Sequence, residues 1–199
     1  MKDKILKLLN DSINTKSKLI SDNTFISNVE QAVSFCFETI ANGNTIFFCG
    51  NGGSAADAQH IAAELTGKFK NDRKPLKGIV LGSNFSSLTA IGNDYSFDDV
   101  FSRELNGLGK KGDLLIAYST SGNSKNIIKA LEVSKKLNIN SILMVGKNGN
   151  QAASFADIVI SIPSGVTARI QEAHITIGHA LMEYLEDNLL KIKFISKIS

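Results

Sequence analysis

The chain has no tryptophan, only two prolines and only two cysteines. Two cysteines cannot staple a small secreted scaffold, and Cys36 and Cys49 both sit among apolar neighbours. They read as reduced core thiols rather than a disulfide. The scarcity of proline, with no long polar tract, argues against disorder. Long hydrophobic runs are missing too: nothing approaches the ~18 apolar residues of a membrane helix. The first ten residues, MKDKILKLLN, carry charge without a sustained apolar core, so neither a signal peptide nor a membrane partner is expected, and the default location is cytoplasmic. A formal net charge of +3 gives little reason to expect a nucleic-acid partner. Basic residues cluster once, at Lys68, Lys70, Arg73, Lys74 and Lys77. That cluster reads first as a solvated loop and, more sharply, as an attraction for phosphorylated substrates.

What is present is a 199-residue chain, 43% hydrophobic, long enough for one well-buried α/β domain over residues 1–199. Its organising stretch is TIFFCGNGGSAADAQHIAAELTG, Thr45 to Gly67. Five apolar or β-branched residues suit a strand buried on both faces. Three glycines break it, Ser54 stands where a helix N-cap belongs, alanines and Leu65 continue a helix, and Gly67 suits its end. Two amphipathic helices precede the strand, over residues 2–20 and 28–41, and exceed what a small sheet needs for cover. They pack on the domain's own flank or form an oligomer interface. Further strands are expected at 78–81, 113–119, 141–145 and 158–162. Helices are expected at 85–91, 98–107 and 126–137, with a short one near Gln151 and a long one at 168–190. Gly92-Asn93-Asp94 reads as a turn. Strands alternating with helices mean a parallel sheet covered on both faces.

Two strand–loop–helix corners are chemically alike: Gly50-Asn51-Gly52-Gly53-Ser54 and Ser119-Thr120-Ser121-Gly122-Asn123-Ser124. In an open parallel sheet such corners lie at the carboxyl ends of strands, where ligands bind. Each presents backbone N–H groups at a helix start, which favours an anion. The second adds hydroxyls but no fixed positive charge, and plain turns have the same composition. A dinucleotide reading of Gly50-x-Gly52-x-x-Ala55 fails, because the next strand runs into Gly82-Ser83-Asn84 with no carboxylate to hold a ribose.

His60 and Glu64, four apart, share a helix face, as two ligands of one metal, as a base and its orienter, or simply as a surface pair. Gln171 and His179 on the last helix offer further polar groups, with His174 a competing ligand that more often just packs. Eight residues along a straight helix span about 12 Å, too far for Gln171 and His179 to bind one ion. Either the helix is irregular or different subunits contribute.

CGNGGSAADAQHIAAELTG, AIGNDYSFDDVFSREL, STSGNS and TARIQEAHITIGHALME, in that order, resemble the sugar isomerase (SIS) family, and within it the phosphoheptose isomerases, over nearly the whole chain. The resemblance implies a flavodoxin-like α/β SIS fold of about five parallel strands with helices on both faces. It also implies a homotetramer built partly on the N-terminal helices, with active sites at subunit boundaries. It further implies an aldose–ketose isomerase that interconverts sedoheptulose 7-phosphate and a mannoheptose 7-phosphate, with one zinc per subunit. By resemblance Asn51, Gly52, Gly53, Ser54, Glu64, Asn93, Asp94, Ser119, Thr120, Ser121, Ser124 and Gln171 bind substrate. His60, Glu64, Gln171 and His179 hold the zinc, and Glu64 and His179 are catalytic. Lys68 stands where arginine is usual, Asn84 where Asp is commoner, and Tyr118 is bulkier than the usual residue before the STSGNS loop; these bear on substrate preference. The rival within the fold is a non-catalytic binding protein of the replication-initiator-associating type, which lacks the catalytic pair; an isomerase of another sugar phosphate is the other alternative.

Overall fold

The computed structural model describes residues 1–147 and 150–195. Two helices, α1 (Lys2–Ile20) and α2 (Asn23–Ala41), lead into β1 (Ile46–Gly50), α3 (Gly53–Thr66) and β2 (Gly78–Val80). Then come α4 (Phe85–Asp94), α5 (Val100–Leu108), β3 (Leu114–Ser119), α6 (Lys125–Lys136), β4 (Asn140–Gly146), α7 (Asn150–Ala153), β5 (Ile158–Ile162) and α8 (Thr167–Lys191). The five strands form one parallel sheet in the order β2-β1-β3-β4-β5, the flavodoxin-like α/β arrangement expected.

Every residue of β1 and β3 is buried, as a strand covered on both faces must be. Alternation sends Ile46, Phe48, Ile116 and Tyr118 into a core with α2, α3 and α8, and Phe47, Cys49, Leu115 and Ala117 into a second core with α5 and α6. β1 and β3 are neighbours, in register from Ile46↔Leu114 to Gly50↔Tyr118, and the strand order reverses between them. Their two loops therefore open side by side at the topological switch point. Cys36 and Cys49 are free and buried, and burial pushes the Cys36 thiol up to about 12 and Cys49 further, so both are inert.

Several boundaries differ from the sequence expectation. α2 starts at Asn23 rather than Asn28, because the Asp22 carboxylate accepts from the Thr24 and Phe25 amides at 3.0 Å. Ser54 is not the N-cap of α3; Gly52 is, at φ +55°, and Ser54 is already inside the helix and buried. Gly67 ends α3 in an extended conformation, not a left-handed one. Gly92-Asn93-Asp94 is no turn but the last part of α4, which closes when the Tyr95 amide donates to the Ile91 carbonyl at 3.0 Å. The basic cluster is not uniformly solvated either, for Arg73 is 5% exposed.

α1 leaves Ile5, Leu8, Leu9 and Ile13 exposed and buries only Thr15 and Leu19. Flank packing thus accounts for little of its apolar stripe. Among the described residues no helix is long and apolar enough to cross a membrane.

Candidate active site

The β1–α3 corner is tight for a geometric reason. A Cβ on Gly50 would stand 2.4 Å from the Ser54 carbonyl oxygen, and one on Gly53 would stand 2.5 Å from Gln171 Nε2. Gln171, from the second turn of α8, therefore lies directly on the start of α3. At the neighbouring corner Ser119 Oγ accepts from the Gly122 amide at 3.1 Å and Ser121 Oγ accepts from the Asn123 amide at 3.2 Å. Ser124 caps α6 without a side-chain bond to its first turn; of the amides at that helix start, Ile127 donates to the Asn126 side-chain oxygen at 3.0 Å. The two corners are locked together by reciprocal amide bonds between Asn51 and Asn126, at 2.9 and 2.8 Å.

α3 and α8 run side by side because Gly178 permits it: a Cβ there would meet Ile61 Cγ1 at 2.7 Å. That approach brings His60, Glu64 and His179 together. Glu64 Oε1 lies 3.2 Å from His60 Nε2 and 3.8 Å from His179 Nε2, and the two imidazole nitrogens are 3.1 Å apart. His60 is exposed, while Glu64 and His179 are half-buried. Two imidazoles and a carboxylate at these spacings form a donor set that could hold a metal ion. Donors of one tetrahedral zinc stand about 3.3 Å apart, so the set fits. Gln171 does not join it within the chain: α8 is continuous from Thr167 to Lys191, which leaves Gln171 about 12 Å of helix from His179.

His174, the competing ligand candidate, is fully buried and stacks edge-on against Tyr118, with ring centroids 5.8 Å apart. Burial pushes its imidazole down to about 4, against a smaller opposing pull from the Val145 backbone, and neither ring nitrogen has a hydrogen-bond partner among the described residues. It packs; it does not ligate. Burial likewise pushes the Tyr118 hydroxyl up, and raises the Asp57 carboxyl to about 6 despite the neighbouring His60 charge. Asn93 and Asp94 are exposed at the end of α4 and bond to each other at 2.8 Å. Among the described residues no hydrogen bond ties them to either corner. Asn84 caps α4, accepting from the Ser86 and Ser87 amides, and Lys68 is exposed.

Comparison with known proteins bears on this geometry. The SIS domain family matches residues 10–146. A phosphoheptose isomerase of Aneurinibacillus thermoaerophilus is 44% identical over 98% of this chain and 99% of its own, and one of Aliarcobacter butzleri is 47% identical over 95% and 99%. The solved structure of a phosphoheptose isomerase from Neisseria gonorrhoeae superposes with a TM-score of 0.87 at 37% identity, covering 94% of this chain and 98% of that one. The chain belongs to the phosphoheptose isomerase family of SIS-domain proteins.

In this phosphoheptose isomerase family member, sequence reasoning missed two residues near the corners. Asn126 is buried and joins the corners; nothing in its position one residue into an amphipathic helix signals that. Lys147 lines a cavity of about 240 Å³ together with Thr120, Ser121, Asn123, Ser164 and Thr167. Its backbone N–H donates to the Ser164 carbonyl, and the Gly146 N–H donates to the Thr120 carbonyl. The hydroxyl loop thus has a cation at its rim, contrary to the expectation of a cradle with no fixed positive charge.

Proposed function

We propose that the chain is a single SIS domain over residues 1–199 that interconverts sedoheptulose 7-phosphate and D-glycero-D-manno-heptose 7-phosphate, a first step toward the nucleotide-activated heptose of bacterial surface polysaccharide. The observation that carries this reading is the convergence of Glu64 with His60 and His179 across the α3–α8 contact, in a chain 44–47% identical to proteins named phosphoheptose isomerase. The non-catalytic binding reading is not favoured, since Glu64 and His179 are both present and face each other at 3.8 Å.

Moving a carbonyl from C2 to C1 requires removing a proton beside it, holding an enediolate, and returning a proton. Glu64 is the acceptor: its Oε1 lies 3.2 Å from the His60 imidazole and 3.8 Å from that of His179. His179, less exposed than His60, is the group that returns or relays the proton on the opposite side. His60, Glu64 and His179, with Gln171 supplied by a neighbouring subunit, would hold the zinc, one per subunit. When bound, zinc supplies positive charge beside the reacting oxygens. The phosphate sits at the Ser119–Ser124 loop with Ser54, Asn51, Gly52 and Gly53 on its other side. Asn93 and Asp94, exposed on α4, serve a substrate held at a boundary between copies. Seven residues of α3, about 10 Å, separate Gly53 from His60, so the phosphate end and the reacting end of an extended sugar are held apart and in register. A homotetramer supplies the second copy, and the exposed apolar stripe of α1 is what it would cover.

The test is turnover by the purified protein on a panel of ketose phosphates. Aldose 7-phosphate should form from sedoheptulose 7-phosphate, and solvent deuterium should enter the transferred position in deuterated water. No product from that ketose, with turnover of another, would reassign the substrate; no product from any would return the binding reading.

A further inference from the structure

Arg73 is almost fully buried at the end of the α3–α8 contact, paired with Glu186 at 2.8 Å through its Nε. Its two terminal nitrogens reach the end of α3, and Nη1 also donates to the Lys74 carbonyl at 3.3 Å. Nη2 donates to the Glu64 carbonyl at 2.7 Å and Nη1 to the Leu65 carbonyl at 3.0 Å. These belong to the last turn of α3, whose carbonyls have no intrahelical partner. The second oxygen of Glu186 accepts from the Asn71 backbone at 3.1 Å and from the Asn71 amide at 2.7 Å. Glu186 lies seven residues beyond His179, two turns along the same face of α8. Between them Glu183 pairs with Lys70, and the Phe69 ring stacks on His179 at 6.1 Å and 17°. The segment 68–76 is therefore a strap that runs along two turns of α8, and Arg73 is its buried anchor.

We propose that Arg73, held by Glu186, is a positioning residue that sets the distance between the Glu64 carboxylate and the His179 imidazole. A buried ion pair adds little stability over well-packed apolar side chains; what a guanidinium adds is a rigid fork of donors. Here the fork fixes the Glu64 carbonyl on one side and α8 on the other. The residue whose backbone is gripped is the one whose side chain faces both imidazoles. Any rotation of that turn moves the carboxylate against His179. The inference uses the Glu64–His179 pair of the proposed isomerase and adds the element that aligns it.

Three variants test it. Arg73→Met with Glu186→Leu fills the same space without charge, Arg73→Lys keeps a charge but loses the fork, and Lys70→Ala removes the exposed pair on the same strap. In the first two, kcat should fall about 10–100-fold with KM changed less than about threefold, and zinc affinity of the metal-stripped protein should weaken about 10–100-fold, as for outer-shell partners elsewhere. The imidazole resonances of His60 and His179 should shift in both. Lys70→Ala should leave all three readouts at wild-type values. A folded Arg73→Met/Glu186→Leu protein with wild-type kcat, zinc affinity and imidazole resonances overturns the proposal. If that protein does not fold, the same result in Arg73→Lys overturns it. Equal losses in Lys70→Ala overturn it as well, by showing a general loosening of the strap. Absence of turnover in the wild type would fall on the proposed function instead, because zinc affinity and imidazole resonances are read without substrate.

Discussion

At the open end of the α3–α8 contact the side chains of His60, Glu64 and His179 are 53%, 18% and 39% exposed, whereas at the closed end those of Arg73 and Glu186 are 2% and 1% exposed. Both ends place a carboxylate against nitrogen donors, across α3 and α8 at one end and between the 68–76 strap and α8 at the other. The difference is access to water. Groups in contact with solvent can gain and lose protons and admit a ligand. A pair sealed from solvent has its charge state fixed by its partner and serves only geometry. Reactivity and rigidity are thus built from similar chemistry a few turns apart.

The comparison breaks most visibly at Glu64. Glu64→Gln keeps the size but removes the base, so turnover of sedoheptulose 7-phosphate should fall by about 10²–10⁴-fold, with the circular dichroism spectrum unchanged. At the closed end, Glu186→Ala leaves the Arg73 charge buried and unpaired, and should lower unfolding free energy by about 3–5 kcal/mol in a denaturant titration. Lys70→Ala, at an exposed pair, should leave the denaturation midpoint where it is.

His174 sharpens the contrast, being five residues from His179 on the same helix yet fully buried. Its folded pKa of about 4 lies below the ordinary value of 6.5. The unfolded chain therefore takes up this proton first as pH falls. The stability linked to this group is fully present above 6.5 and is lost between 6.5 and about 4, by about 3 kcal/mol in all. Asp57, raised to about 6, has the opposite slope, so the measurement is the difference between wild type and His174→Leu at pH 7 and pH 4.5. The variant should lose less stability on acidification. Among the substitutions expected to cost stability, the smallest effect is that of Gly178→Ala. Its Cβ would crowd Ile61, at about 1–3 kcal/mol for overpacking, and a helix-propensity gain of about 1 kcal/mol offsets part of it. A net loss near 1 kcal/mol by thermal melting, with lower kcat as the helices part, is expected.

Much of the fold was legible because its signals are local. Apolar strands, glycine breaks and helical spacing at 45–67 and 113–137 mark each β–α unit within a few residues of itself. The departures are local as well: the Asp22 cap starts α2 early, and the α4 hydrogen bonds override the turn preference of Gly92-Asn93-Asp94. The site was half legible. His60 and Glu64 share a face by spacing alone, and the two polar corners follow from strand order. The place of His179 is not written in any local pattern, since nothing in 119 residues of separation says that α8 lies on α3.

By itself, then, the sequence settled the alternation of strands and helices, the two anion-suited corners and the His60–Glu64 face. Periodicity and backbone preference act between near neighbours and need no knowledge of the rest. Only the tertiary structure decided that Arg73 is sealed while Lys70 is not, that His174 packs while His179 meets Glu64, and that Lys147 reaches the rim of the hydroxyl loop. Each of those depends on which surface covers which. That is a property of the packed whole: the same side chain is reactive or inert according to whether water still reaches it.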